Sequence, residues 1–162
     1  MMQRIWAPWR LPYIKAYKRK MDSCVFCDYV QMDDSPENLI VFRGEEAFVI
    51  LNRFPYTSGH LMVLPYTHVD RLDALEEGVR SEMMELVNQA TQVLEKVYEP
   101  EGFNIGANLG AAAGAGIEEH VHLHVVPRWV GDTNFMASVG ESRVLPEALE
   151  ESWKAIREAW TA

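Results

Sequence analysis

The sequence predicts an α+β domain, in which an antiparallel sheet carries one long and one short helix packed on it. Three observations predict this class. Short β-type runs follow one another between residues 39 and 65, a long amphipathic helix comes next, and a further strand lies near residue 120. A chain of 162 residues fits one compact domain better than two independent cores.

The first strands are predicted from β-type runs bounded by turn residues. Residues 39–43 and 47–53 are rich in aliphatic and aromatic side chains and are separated by Gly44, which is typical of a hairpin. The segment 56–65 begins with turn residues and continues as a third strand, which Pro65 ends. Adjacent runs of this kind favour antiparallel pairing.

The second half of the chain alternates between helical and extended patterns. From Val79 onward the apolar residues recur with three-and-four spacing, which predicts one amphipathic helix that ends before Pro100. Residues 102–110 then have a strand pattern, and 111–116 form a loop of small residues. A short helix is predicted over 146–160, where a proline can occupy its first position.

Charge and composition exclude several classes of protein. The formal net charge of −9 supplies no basic field that would attract nucleic acid. No apolar run approaches the roughly 20 residues of a membrane helix, and the basic, aromatic arm 1–20 lacks the apolar core of a secretory signal. We expect that arm to be exposed to solvent, to pack on another subunit, or to place its basic side chains at the edge of a site for an anionic ligand. Two cysteines are too few for a disulfide scaffold, so we expect a reducing, cytoplasmic setting.

The chemistry of the chain is concentrated in HVHLHVVPR, residues 120–128, where three of the five histidines occupy alternate positions. These three are His120, His122 and His124. Alternate side chains of a strand share one face, so the imidazoles would lie together while the apolar residues between them face the core. Neighbouring imidazoles repel one another when all are protonated, so at least some of them should be neutral near pH 7. The unprotonated nitrogen of a neutral imidazole is a nucleophile or a metal ligand. The alternatives are a strand whose polar face happens to be histidine and a zinc site made from this cluster alone.

Upstream residues supply partners for such a site. His60 follows Gly59 at the start of the third strand, Asn52 lies at the end of the second, and Asn108 precedes a glycine-rich loop. The easily bent positions of that loop are Gly110, Gly114, Ala115 and Gly116. Because glycine lets backbone N–H groups crowd around an anion, a nucleophilic imidazole next to this loop favours phosphoryl or nucleotidyl transfer.

HVHLHVV and the upstream block LNRFPYTSGHLMVLPYTH resemble the histidine triad (HIT) family, whose motif is His-φ-His-φ-His-φ-φ. The likeness covers roughly residues 22–130. IWAPWR, NLG…GAG and HVVPRWVGDTNFM are most similar to the bacterial branch that contains diadenosine tetraphosphate phosphorylases. The resemblance implies a single HIT-like domain over 1–162, with a loop and helix over 131–162 after the core. It also implies a homodimer in which the two sheets join into one.

The resemblance implies a role for each site residue. His122 would attack the α-phosphorus of a dinucleoside polyphosphate, such as diadenosine tetraphosphate, and form a covalent nucleotidyl-histidine that water or inorganic phosphate then resolves. His124 and His60 would contact phosphate and orient the nucleophile, Asn52 would bind the ribose, and Asn108 would bind phosphate. The remaining substrate-binding positions would be Gly114, Ala115 and Gly116.

One departure from the family pattern limits the choice of reaction. Many members have Gly-Gln-Ser/Thr before the triad, whereas this chain has Ala115, Gly116 and Ile117 and therefore no hydroxyl there. This weakens adenosine phosphoramidate hydrolysis as an alternative and suits a polyphosphate leaving group. A non-catalytic nucleotide- or zinc-binding adaptor is the other alternative, and the intact His122 argues against it. Phosphorolysis and hydrolysis both remain open.

The Cys-x-x-Cys motif CVFC is compatible with redox chemistry, zinc or chance. A redox motif would need a βαβ unit, which this sequence does not show. Histidine triad relatives bind zinc through such a pair, a His after the Gly-His strand, and the first His of the triad. The matching residues here are Cys24, Cys27, His68 and His120, so the resemblance implies structural zinc. The alternatives are cysteines buried as small apolar residues and a surface histidine at position 68. Magnesium would accompany the polyphosphate, although no carboxylate cluster marks a site for it.

Overall fold

The structure is a computed structural model that describes residues 23–132 and 147–161. Its helices are α1 (Val25–Val30), α2 (Glu77–Tyr98) and α3 (Leu149–Thr161). Its strands are β1 (Ile40–Arg43), β2 (Ala47–Leu51), β3 (Leu61–Pro65), β4 (Gly102–Gly106) and β5 (Leu123–Arg128). Single turns of 3-10 helix cover Leu72–Ala74 and Ala111–Ala113. Across the described ranges, none of the helices combines the length and the apolar character that crossing a bilayer requires.

The five strands form one sheet in the order β1-β2-β3-β5-β4, and every neighbouring pair is antiparallel. The strands β2 and β3 are buried along their whole length. The predicted α+β class with an antiparallel sheet is confirmed. Because β5 lies between β3 and β4, the histidine motif is brought beside the strand that His60 precedes.

The helix α2 covers the sheet with the apolar face that its sequence period predicts. It contacts β2, β3 and β5. Its buried side chains follow the three-and-four spacing and are Val79, Met83, Leu86, Val87, Ala90, Val93 and Leu94. The helix ends before Pro100, as predicted, because Glu99 adopts a left-handed conformation with φ of 46° and proline cannot continue a helix.

The helix α3 packs on α2 and on the edge strand β1. Trp153 donates from Nε1 to a backbone carbonyl of β1 at 2.8 Å, and the ring of Trp160 stacks on Phe42 with centroids 5.1 Å apart. The helix begins at Leu149 in the described residues, whereas the sequence predicts one over 146–160. The predicted first residue, like the arm before residue 23, lies outside the described ranges.

Several boundaries differ from the sequence prediction for local reasons. The helix α1 was not predicted, because six residues are too few to reveal an apolar period. The start of β3 at Leu61, by contrast, follows the turn that the sequence predicts at the beginning of the segment 56–65. The strand β4 ends at Gly106, where the sequence indicated only an interruption.

Candidate active site and metal centre

The imidazoles of His60, His124 and His122 form a row beside β3 and β5, and the backbone carbonyl of His120 continues this row. Nε2 of His60 lies 3.0 Å from Nδ1 of His124, and the His124 ring meets the His122 ring edge to face with centroids 4.8 Å apart. Nδ1 of His122 lies 2.8 Å from the backbone carbonyl oxygen of His120. His124 is half-buried, and the other three are buried. The residues that the sequence nominates as catalytic are thus in contact with one another.

The sequence prediction that all three motif histidines lie in one strand is wrong. The strand β5 begins at Leu123, so the first two histidines precede it in an extended segment. Continuing the ladder would place Val121 opposite Pro65, which has no N–H to donate. The alternation nevertheless persists, since Val121 and Val125 are both buried in the core.

Hydrogen-bond partners determine the tautomers of His60 and His124. The backbone N–H of Tyr56 can only donate, and it lies 3.2 Å from Nδ1 of His60. The side-chain amide nitrogen of Asn52 lies 3.4 Å from the same atom. The lone pair of His60 is therefore on Nδ1, and its Nε2–H donates to Nδ1 of His124. In the neutral form of His124, the ring proton is consequently on Nε2.

His122 has the opposite tautomer. Its Nδ1–H donates to the carbonyl of His120, which can only accept, so its lone pair is on Nε2. Burial lowers the pKa of His122 below 6.5 and lowers the pKa of His120 as well, which keeps both rings neutral near pH 7. Within the described residues, Ser58 Oγ is the sole fully buried side-chain nitrogen or oxygen without a hydrogen bond. His122 as a whole residue is 6% exposed.

The turn between β2 and β3 holds Asn52 against His60. The Asn52 N–H donates to the His60 carbonyl at 2.9 Å, and Asn52 Oδ1 accepts from the N–H of Phe54 at 2.9 Å. The hydroxyl of Thr57 donates to the carbonyl of Pro127 in β5 at 2.9 Å. This turn is thereby tied to the strand that carries His124.

Gly59 allows the same turn to approach α2 closely. Its φ is +75°, and a Cβ atom at this position would lie 2.8 Å from the ring of Tyr98 and 3.0 Å from Leu94. The Tyr98 ring is held in place because its hydroxyl donates to the Glu147 carboxylate at 2.6 Å. The glycine that precedes His60 is therefore required both by backbone conformation and by packing.

We expect Gly59→Ala to lower the free energy of unfolding by about 2 to 4 kcal/mol, because left-handed strain adds to the overlap with α2. Gly78 is the matched control, since its Cβ position has no heavy atom within 4 Å and lies in a helix. Gly78→Ala should be neutral or stabilising by up to about 1 kcal/mol. Urea unfolding measures both variants, and equal stability of the two would contradict the packing argument.

The glycine-rich loop lies between β4 and the histidine motif. Gly110 and Gly114 have positive φ values of 79° and 85°, which glycine adopts far more readily than other residues. Asn108 is half-buried at the entrance to this loop. In the part of the chain that the structure describes, Asn108, Ala115 and Gly116 make no hydrogen bond to the imidazole row. Their expected contacts with substrate remain predictions.

Two thiols and two imidazoles converge at the other end of the row. They belong to Cys24, Cys27, His68 and His120, and their donor atoms all lie within 4.8 Å of one another. Cys24 Sγ lies 3.4 Å from His120 Nδ1, and Cys27 Sγ lies 3.4 Å from His68 Nδ1 and 3.7 Å from His120 Nδ1. Tetrahedral zinc, with metal–ligand distances of about 2.0 to 2.3 Å, places neighbouring donor atoms about 3.5 Å apart. The donor set therefore fits such an ion.

The hydrogen bonds of His120 also suit a metal ligand. Its Nε2–H donates to the carbonyl of Pro65 at 2.9 Å, which leaves the lone pair on Nδ1, facing the thiols. Burial raises the pKa of the Cys24 thiol to about 11, so an ion must displace a proton from it. His120 thus turns its ring toward the cysteines and its carbonyl oxygen toward His122.

Two residues in contact with the row were not predicted from the sequence. The ring of Tyr56 lies over His60 with centroids 4.6 Å apart, and its backbone N–H sets the His60 tautomer. A backbone donor of this kind leaves no signal in residue type. Phe26 contacts both His120 and His122, and its place between the two cysteines of CVFC was the signal available for it.

An antiparallel sheet that carries contacting imidazoles from alternating positions of one motif defines the class of histidine triad proteins. Residues 34–130 match the HIT domain family. The chain belongs to this family, and the family predicted from the motif is confirmed.

Three members of the family illustrate what this chain is similar to. AP-4-A phosphorylase of Mycobacterium tuberculosis is 39% identical over 166 residues, which cover 98% of this chain and 85% of the relative. A bis(5'-nucleosyl)-tetraphosphatase of Schizosaccharomyces pombe is 32% identical over 93 residues, covering 57% of this chain and 50% of the relative. The crystal structure of a Zn-bound histidine triad family protein from Mycobacterium smegmatis has a TM-score of 0.70 at 32% identity, covering 86% of this chain and 94% of that one.

Proposed function

We propose that this protein is an enzyme that cleaves dinucleoside polyphosphates, with diadenosine tetraphosphate as the first candidate, through a nucleotidyl-histidine at His122. The observation that carries the proposal is the hydrogen bond from His122 Nδ1–H to the His120 carbonyl, which leaves an uncharged nucleophilic nitrogen at Nε2. The similarity to an AP-4-A phosphorylase and to a bis(5'-nucleosyl)-tetraphosphatase supports the substrate class.

The geometry assigns a role to each imidazole in this reaction. Nε2 of His122 attacks the α-phosphorus, and the bond to the bridging oxygen breaks with its electron pair leaving on the polyphosphate. The His120 carbonyl stabilises the positive charge that the His122 ring acquires. The Nε2–H of His124 donates to a phosphoryl oxygen, and His60 holds the His124 ring in that tautomer.

An acceptor completes the cycle by attacking the nucleotidyl-histidine and returning the N–P electron pair to Nε2 of His122. Inorganic phosphate as acceptor yields ADP, and water yields AMP, with ATP as the first product from diadenosine tetraphosphate in both cases. We propose that Asn52 binds the ribose and that Asn108 binds phosphate. The loop of Gly114, Ala115 and Gly116 would border the phosphates, with the backbone N–H groups of Ala115 and Gly116 as donors, because the N–H of Gly114 donates to the Ala111 carbonyl at 3.0 Å.

We also propose that Cys24, Cys27, His68 and His120 hold a structural zinc ion. The ion would crosslink α1 to the segment that enters β5, a role that the distances among the donor atoms support. The zinc in the Mycobacterium smegmatis relative is consistent with this proposal. Neither cysteine is in a disulfide, which suits the reducing cytoplasm expected from the sequence. Magnesium would be brought by the polyphosphate.

A second copy of the chain is the proposed partner of the β4 edge. Ile105 on β4 and Met84 on α2 are 50% and 57% exposed, and both line a groove of about 530 Å³ between these elements. Within the described residues β4 pairs only with β5, so its other side offers backbone groups to another strand. Antiparallel pairing of two β4 strands would continue the sheet across a two-fold axis.

Ile105→Glu is expected to convert the proposed dimer into a monomer, because two carboxylates would meet beside the joined strands. Met32→Glu is the matched control, since Met32 is 43% exposed and lies after α1, away from β4. Sedimentation equilibrium distinguishes the two states. A wild-type protein that is monomeric at micromolar concentration would overturn the dimer proposal.

Product analysis with and without inorganic phosphate tests the proposed function. Diadenosine tetraphosphate is incubated with the protein, and the nucleotides are separated and quantified. ADP and ATP that depend on phosphate identify a phosphorylase, and AMP with ATP identifies a hydrolase. Absence of cleavage, together with absence of a nucleotide adduct by intact mass, would refute the enzymatic proposal and favour a nucleotide-binding adaptor.

A further inference from the structure

Phe26 lies in the middle of the CVFC segment and packs against the nucleophile. It is the buried residue of α1, with 4% of its surface exposed. Its ring centroid lies 5.6 Å from that of His120 and 5.7 Å from that of His122, with interplanar angles of 86° and 59°. One aromatic ring thus contacts both a proposed metal ligand and the proposed nucleophile.

The direction of Nε2 on His122 depends on more than one contact. The hydrogen bond at Nδ1 anchors one point of the imidazole but leaves the ring able to tilt about that point. Two other rings pack against the His122 ring and limit this tilt. The His124 ring lies with its centroid 4.8 Å from that of His122, and the Phe26 ring is the second neighbour. A tilt would move Nε2 away from the line of attack, and small displacements of a reacting atom have large effects on rate.

The position of Phe26 in turn depends on tertiary contacts of α1. A helix of six residues has little stability of its own. The cysteines on both sides of Phe26 contact His120 and His68, and the Val30 carbonyl at the other end of α1 accepts from Arg43 at 3.0 Å. The same short helix therefore carries two proposed metal ligands and the ring that packs on His122.

We propose that Phe26 is a positioning residue for His122, and that it sets the orientation of the ring from which Nε2 attacks. This inference rests on the proposed function, because orientation matters for rate only if His122 is the nucleophile. The cysteine cluster holds Phe26 in place, which links the proposed metal centre to the proposed active site through one side chain.

The test compares Phe26→Leu and Phe26→Ala with the control Phe48→Leu. Phe48 is fully buried in β2 and stacks on Tyr66 with centroids 5.4 Å apart, so its truncation perturbs the core away from the imidazole row. In protein that retains its metal content, we expect kcat to fall about 10- to 100-fold in Phe26→Ala, and less in Phe26→Leu, with KM changed less than about twofold. Phe48→Leu should keep the wild-type kcat.

The rate of nucleotidyl-histidine formation in a single turnover and the 15N NMR spectrum of the histidine side chains complete the test. Phe26→Leu should slow adduct formation and broaden or shift the His122 ring signals. An unchanged kcat in both Phe26 variants, or a raised KM with unchanged kcat, would overturn the positioning role. If even the wild type forms no adduct, the proposed function has failed. The NMR comparison then decides by itself, because unchanged His122 signals in Phe26→Leu refute the inference.

Discussion

His122→Asn is expected to lower kcat/KM for diadenosine tetraphosphate by at least about a thousandfold and to abolish the nucleotide adduct. An amide has no nucleophilic lone pair on nitrogen, so no bond to phosphorus can form. The fold should survive, because the asparagine N–H can still donate to the His120 carbonyl that now accepts from Nδ1. Steady-state kinetics and intact-mass analysis measure the two effects.

The variant His124→Asn is the control for His122→Asn. It removes the proposed phosphate donor and the partner of His60 but leaves Nε2 of His122 in place. We expect slower turnover with an adduct that still forms, whereas His122→Asn gives none. An adduct or near-normal turnover in His122→Asn would mean that the nucleophile is another residue.

Cys24→Ser is expected to release the proposed zinc and to lower the free energy of unfolding by about 4 kcal/mol. An ion present at a thousandfold excess over its dissociation constant stabilises the folded state by that amount. For a domain of this size the midpoint of thermal unfolding should then fall by roughly 10 °C. Metal analysis of the purified protein and thermal unfolding with and without a chelator provide the measurements.

The chelator also supplies the control for the metal proposal. It should lower the unfolding midpoint of the wild type to nearly that of Cys24→Ser and should leave Cys24→Ser itself unchanged. Zinc affinity should decrease at acidic pH, because protons compete for the thiolate and imidazole donors. Wild-type protein that contains no zinc and does not respond to the chelator would refute a structural ion at this cluster.

The sequence predicted those helices and strands whose pattern of apolar and turn residues lies within one continuous segment. The apolar period from Val79 predicted α2 and its end before Pro100, and the β-type runs on both sides of Gly44 predicted the hairpin. The short helix α1 was not predicted because its six residues make fewer than two helical turns, too few for an apolar period to repeat. The histidine strand was placed too early, since the proline that ends its ladder belongs to β3, far away in the sequence.

By itself, the sequence determined which side chains share a face: a period of two places the motif histidines together in any extended chain. Only the tertiary structure decided what each ring nitrogen does. The tautomer of His124 depends on His60, 64 residues away, and the orientation of His120 depends on the Pro65 carbonyl, 55 residues away. Periodicity is a local property of the backbone, whereas hydrogen-bond partners and metal ligands are set by how strands pair and helices dock. The convergence of Cys24 and His120, 96 residues apart, follows from that docking.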